Sequence, residues 1–384
     1  MGILGFPNKN HTMRSANTQN KTSRYLAVGA GIAGLAVLAA WLLSPRKSIR
    51  VASIPPGPGK KYRKPPGWQG TPVDAEGRFM NAEFPFYQDG LKLLRWLPSH
   101  AASLVSNHGY RFPVVHHSSG EALLQNNTLI WLGHASFFLR IHQTSLLIDP
   151  QFFNTAIYPR HSSNPIDPAF FTGIDYILLS HDHADHCDKR SLQLLLKNNP
   201  GVTVITGLGM DTLVQSFTQE PVKTVALDWW EEIVLPQTLR IYFVPSRHYC
   251  ARLFNRYNSR LWGGFIIKYE DRQRRVSTIY FGGDSGYGNH FTDIRKLFHP
   301  DLAILPIGAF LPRWFMHPNH MSPREAVQAF RDCGATKLIP MHYGTFALSN
   351  EPMDLPARIM HRLPVTGELV ELKPGEVYFL EQPV

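Results

Sequence analysis

Seven consecutive residues, Ser180-His181-Asp182-His183-Ala184-Asp185-His186, place three imidazoles and two carboxylates in one turn, directly after the apolar run 173–179. Neutral imidazole with carboxylate is a ligand set that suits Zn and related divalent ions, and a strand that ends in such a turn can aim several side chains at one point. HxHxDH at a strand end therefore predicts a metal site, not a polar loop that happens to be rich in His. One turn does not enclose a two-metal centre, so further ligands have to come from the ends of other strands. His248 follows the strand-like run 239–244, Asp284 follows 278–283, and His342 follows 336–341. Each stands where a strand gives way to a loop, a place where a rigid scaffold presents reactive groups.

With these elements in this order, the chain resembles the metallo-β-lactamase superfamily, in which an HxHxDH turn, a later His, a later Asp and a last His surround two metals. Further words are similar to its N-acyl-phosphatidylethanolamine-hydrolysing phospholipase D branch. They are Trp131-Leu132-Gly133-His134-Ala135-Ser136, Leu147-Ile148-Asp149-Pro150, Gly282-Gly283-Asp284-Ser285-Gly286-Tyr287, Pro312-Arg313-Trp314-Phe315-Met316 and His342-Tyr343-Gly344-Thr345-Phe346-Ala347-Leu348, and the likeness runs from Tyr62 to the C-terminus. The resemblance implies two divalent ions, Zn by preference. His181, His183 and His248 would hold one, Asp185, His186 and His342 the other, and Asp284 would bridge them. Such a pair, about 3.5–4 Å apart, acidifies a shared water for in-line attack and neutralises charge on phosphoryl oxygens.

The implied reaction is hydrolysis of N-acyl-phosphatidylethanolamine to N-acylethanolamine and phosphatidic acid, with Asp185, Asp284 and His320 as the catalytic set and no Ser, Cys or Lys nucleophile. His320 lies where the family places a substrate-contacting His, to bind the head-group phosphate or give a proton to the leaving oxygen. Its plainer reading is a residue just ahead of a helix that Ser322 caps and Pro323 opens. Ala184 departs from the family, which carries an aromatic residue there, and this bears on head-group preference. His134 is expected to shape the sheet edge beside the site, and Asp149-Pro150 to form a turn. Neither is expected among the ligands. Two other classes share the scaffold. One is a hydrolase of a small soluble lactone, phosphoester or thioester. The other is an iron-dependent oxygen or nitric oxide reductase, whose turn usually carries Glu where residue 183 is His.

The elements that must position these groups alternate. Apolar or alternating runs at 128–140, 145–148, 202–205, 224–226, 239–244, 263–269 and 302–306 are interspersed with helical periodicity at 189–197 and 324–333. That pattern predicts an α/β fold of two packed mixed sheets with helices outside, the αββα sandwich that the resemblance also implies, with the site at one edge between the sheets. The hydrolase domain is expected over 67–384.

Ahead of it, residues 1–24 read as a basic tail, 25–43 as a transmembrane signal anchor, and 44–66 as a basic Pro/Gly-rich linker, where the stretches 54–59 and 65–67 form neither helix nor central strand. The run 25–43 carries no charge and is flanked by Lys21, Arg24, Arg46, Lys47 and Arg50. A span needs about 20 residues, more than the roughly 7–15 of a signal-peptide core. Eleven of the 39 Lys and Arg residues precede Gly67 in a stretch without Asp or Glu, which leaves 28 basic against 29 acidic residues in the domain. The formal charge of +10 therefore describes a collar beside a membrane, not a nucleic-acid-binding face. The expected partners are phospholipid and membrane, and the distribution of Lys and Arg leans toward a cytoplasmic catalytic domain behind a single-pass anchor. Three cysteines, Cys187, Cys250 and Cys333, give no disulfide framework and read as small buried side chains. The cluster Phe84-Pro85-Phe86-Tyr87, Leu91, Leu93-Leu94 and Trp96-Leu97 reads first as packing on the sandwich, and otherwise as an acyl-chain groove or membrane-surface contact.

Overall fold

Segments such as 128–133 and 144–148 bury every residue, as strands do when both faces of their sheet are covered. The structure, a computed structural model, describes residues 52–54, 60–84, 86, 89–252, 257–271 and 273–381. The strands are β1 (Ala52–Ile54), β2 (Lys61–Tyr62), β3 (Thr71–Val73), β4 (Thr128–Gly133), β5 (Ser136–Ile141), β6 (Thr144–Ile148), β7 (Tyr176–Leu179), β8 (Thr203–Gly207) and β9 (Lys223–Leu227). They continue as β10 (Glu231–Val234), β11 (Arg240–Val244), β12 (Gly264–Glu270), β13 (Val276–Phe281), β14 (Leu302–Pro306), β15 (Lys337–Met341), β16 (Glu368–Leu369) and β17 (Val377–Phe379). The helices are α1 (Gly90–Asn107), α2 (Lys189–Asn198), α3 (Met210–Gln215), α4 (His290–Phe298), α5 (Arg313–Met316), α6 (Pro323–Cys333) and α7 (Leu355–Met360).

Two mixed sheets result, in the orders β17-β4-β5-β6-β7-β8-β9 and β16-β15-β14-β13-β12-β11-β10-β2. The first is parallel from β6 to β9 and the second from β13 to β16. Side chains alternate across a strand, and this alternation builds the layers. Leu129, Trp131, Phe137, Leu139 and Ile148 share one core with Phe243, Phe265, Ile267 and Phe281 of the opposite sheet. Ile130, Leu132, Phe138 and Leu147 instead meet Leu192 and Leu195 of α2 and Met210 and Leu213 of α3. The chain thus has an α/β architecture of two mixed sheets, with helices packed on the outer face of the first. Helix α6 is sharply bounded, by a reciprocal Ser322–Glu325 capping box at its start and by Gly334 at φ 72° at its end.

Several expectations meet a more detailed picture. The run 128–140 breaks at 134–135 into the antiparallel pair β4–β5, with His134 at φ 54°. Before residue 67, β1 pairs with β3, and β2 is the edge strand beside β10, a position that Pro-flanked segments tolerate. Trp96 is buried in α1, donates from Nε1 to Asn350 Oδ1 at 2.9 Å and stacks on Phe315 at 5.0 Å, whereas Leu91 on the same helix is 70% exposed. Pro85 and Tyr87 lie outside the described residues, as do the basic tail and the expected anchor 25–43. Among the described residues no helix is long and apolar enough to cross a membrane. The three cysteines are buried and free.

Phe281 is fully buried between the sheets and ends the strand that leads to Asp284. Phe281→Ala is expected to destabilise the protein by about 3–5 kcal/mol, measured as a shift of the urea midpoint at unchanged slope.

Candidate metal centre

The HxHxDH turn is folded locally before it is a site. After β7, the Ser180 N–H donates to Asp149 Oδ1 at 2.8 Å and its hydroxyl to Asp149 Oδ2. The N–H groups of His186 and Cys187 then donate to the His183 carbonyl at 3.1 and 2.8 Å. Asp188 ends the turn by accepting from Ser191 N at 2.8 Å as the cap of α2. Of the two carboxylates inside the turn, Asp182 pairs with Arg260 at 3.2 Å and only Asp185 joins the imidazoles.

The other groups arrive from the opposite sheet. His248 follows β11, Asp284 follows β13 and His342 follows β15. The path to Asp284 needs Gly283, at φ 59°, where a β-carbon would meet the Gly263 carbonyl oxygen at 2.5 Å. Asn81 clamps the His248 peptide, accepting from its N–H and donating to its carbonyl, both at 3.0 Å.

Among the described residues two four-residue clusters result, overlapped by two groups of three, Asp149 with His181 and His186, and Asp284 with His320 and His342. One cluster is His181, His183, His248 and Asp284, the other His134, Asp185, His186 and His342, and in each the ligand atoms lie within 4.8 Å of one another. Asp284 lies between them, with Oδ2 4.0 Å from His181 Nε2, 3.8 Å from His248 Nε2 and 3.2 Å from His186 Nε2, and Oδ1 3.1 Å from His342 Nε2. All seven residues expected as ligands are thus brought to one place. His320 is there too: Nδ1 is 3.9 Å from Asp284 Oδ2, and the ring stacks on that of His342 at 5.6 Å.

Nε2 of His181, His186 and His342, Oδ1 of Asp284 and Nδ1 of His320 are buried without a hydrogen bond. Leaving one buried polar atom unsatisfied costs about 1–3 kcal/mol, so the gathering of these atoms in one place fits a site built for a cation. Imidazole and carboxylate are donors that fit Zn and its neighbours.

Surrounding hydrogen bonds fix the ring faces. His186 Nδ1 lies 2.8 Å from Asp149 Oδ2, and His248 Nδ1 lies 3.2 Å from the Asn319 carbonyl. Oxygens of these kinds accept, so each Nδ1 carries a proton and each Nε2 faces the centre. His181 Nδ1 meets the Ser180 hydroxyl at 2.9 Å, whose own proton is directed to Asp149, and the same tautomer follows.

Charge is coupled across the centre. Burial disfavours the Asp284 anion, yet His186 and His342 hold its carboxyl well below the usual carboxylate range. Burial also opposes charge on His342, but Asp284 and Asp185 raise it to about 9. For His320 burial wins over Asp284 and lowers the ring to about 4.

Two residues have roles that their sequence context does not display. Asp149 is not merely a turn residue; it is fully buried, at φ 42°, and holds both Ser180 and His186. His134, in the turn between β4 and β5, stands inside the second cluster, with Nε2 2.9 Å from Asp185 Oδ2. Their matching words, Leu147-Ile148-Asp149-Pro150 and Gly133-His134-Ala135-Ser136, were the available signal. Asn81 had none. Ala184 is exposed, and the aromatic ring beside the turn is that of Tyr249, edge-on to His183 at 4.7 Å.

A β-lactamase superfamily domain is matched over residues 144–343. The chain is similar to N-acyl-phosphatidylethanolamine-hydrolyzing phospholipase D 1 of Caenorhabditis elegans, with 30% identity over 58% of this chain and 67% of that protein. It is 29% identical to a UPF0173 metal-dependent hydrolase of Caldivirga maquilingensis, over 65% of this chain and 96% of the relative. Among solved structures, an isothiocyanate hydrolase from Delia radicum gut bacteria superimposes with a TM-score of 0.51 at 17% identity, covering 65% of this chain and 98% of that one.

Asp149→Asn replaces one oxygen that accepts from the His186 ring and the Ser180 hydroxyl with an amide. It is expected to lower metal affinity about 10–100-fold, read as metal retained after dialysis against a graded chelator. Because His342 is raised to about 9 in the metal-free ligand set, it is protonated at pH 7 and a cation must displace that proton. Adding Zn to chelated protein in weak buffer at pH 7 is expected to release protons from His342 and from His186, which Asp284 and Asp185 also favour as a cation against its burial, and affinity to rise with pH through the neutral range.

Proposed function

Since the chain belongs to the β-lactamase superfamily and is a metal-dependent hydrolase of that fold, we propose that it cleaves the phosphodiester of N-acyl-phosphatidylethanolamine, releasing N-acylethanolamine and phosphatidic acid. The observation that carries this reading is the whole Asp284-centred ligand set on a chain 30% identical to a relative named for that activity. His181, His183 and His248 would hold one divalent ion and Asp185, His186 and His342 a second, with Asp284 shared, and Zn is the ion this donor set favours. The chemistry such ions supply when bound is acidification of water and neutralisation of phosphoryl charge.

What the chain itself contributes is placement. Asp284, anionic and buried, ties the two clusters together. His320 is held neutral by burial, and nearby cations would hold it so more firmly. It therefore serves as a hydrogen-bond donor to a phosphoryl oxygen in preference to a proton donor to the leaving group. The phospholipid would be met at a membrane to which the segment 25–43 tethers a cytoplasmic catalytic domain; the charged flanks of that segment support this.

A second reading, hydrolysis of a small soluble lactone, phosphoester or thioester, is favoured by exposed Ala184 where the phospholipase branch has an aromatic residue, and by the relative named only as a metal-dependent hydrolase. Mass spectrometry of products from mixed vesicles containing N-acyl-phosphatidylethanolamine separates the two. The first reading expects N-acylethanolamine with phosphatidic acid, abolished by chelation and reduced at least about 100-fold in His248→Ala and Asp284→Asn. Intact lipid beside fast turnover of a soluble ester would establish the second.

A further inference from the structure

We propose that His134 is the positioning residue for Asp185, and that donation by its Nε2–H, not ligation by that nitrogen, sets the metal affinity of the second cluster. The inference rests on the reading of that cluster as a metal site. His186 and His248 are each oriented by an acceptor behind the ring, Asp149 and the Asn319 carbonyl. Asp185 has a different need, because a carboxylate ligand is oriented by the hydrogen bonds that its oxygens accept. It stands at the open side of the turn, next to exposed Ala184. Its carboxylate accepts a hydrogen bond from His134 Nε2, at 2.9 Å to Oδ2. The same oxygen lies 3.5 Å from His186 Nε2 and 3.7 Å from His342 Nε2, so it is the oxygen that faces the cluster.

His134 is built to be rigid. Its N–H donates to Thr345 Oγ1 at 2.8 Å, and its carbonyl accepts from Trp131 Nε1 at 2.9 Å and from the His342 N–H at 3.0 Å. The ring is fully buried, 4.2 Å from that of His342 and edge-on to Phe346 at 5.1 Å. The bond from the His342 N–H couples the donor directly to a proposed ligand of the same cluster. A nitrogen whose proton is engaged by a carboxylate has no lone pair for a cation, so donation to Asp185 and ligation by Nε2 exclude each other.

Zn binding to the full chain by competition with a chromogenic chelator tests this without reference to turnover. Wild type is expected to bind two equivalents. His134→Phe, which keeps a flat ring and loses the donor, is expected to weaken one equivalent about 10–100-fold and leave the other unchanged, whereas His134→Gln, which keeps a donor, stays within a few-fold of wild type. Should the Phe variant not fold, His134→Leu takes its place in the comparison. Two equivalents at wild-type affinity in the Phe variant would overturn the proposal. Equal loss in the Gln and Phe variants would also overturn it, pointing to ligation or packing instead. Wild type binding fewer than two equivalents would remove the two-cluster reading itself, and this inference with it.

Discussion

Asp284 is a carboxylate only 2% exposed, with imidazole nitrogens of five histidines within 4.0 Å. A buried charge without compensation is not tolerated, so the loops after β7, β11, β13 and β15 have to arrive at one point and stay there. The two sheets are the means. Strand ends from both are brought to a common edge, and the core between the sheets holds those ends in register.

The backbone shows what this convergence costs. His134, Asp149 and His342 all have positive φ, 54°, 42° and 64°, a conformation that residues other than glycine adopt at an expense of about 1–3 kcal/mol. All three lie at the centre, and each is held by partners distant in sequence. His342 is tied to the His134 carbonyl, Asp149 to Ser180 and His186, and His134 to Thr345 and Asp185. Such strain persists where the surroundings over-determine it.

This division explains what was legible in the chain beforehand. The runs that became β6, β8, β11, β12, β13, β14 and β15 are strongly apolar, and a residue just past such a run is positioned by the strand itself. His248, Asp284 and His342 could be read in that way. Asp149 and His134 could not, because their roles depend on a left-handed backbone and on partners 31 to 51 residues away. Asn81 reaches His248 across 167 residues, which no local pattern encodes. Likewise β2 is two residues long and owes its place to β10, whose own sequence Glu231–Val234 is not notably apolar. The anchor expected at 25–43 lies outside the described residues, and its reading continues to rest on composition and flanking charge.

The claim on which the rest depends is that Asp284 joins two cations. Anomalous diffraction at the Zn edge from crystals grown with Zn tests it most directly. The account predicts two peaks about 3.5–4 Å apart, one beside His181, His183 and His248, the other beside Asp185, His186 and His342, with the Asp284 carboxylate between them. A single peak, or two that do not share Asp284, would contradict it.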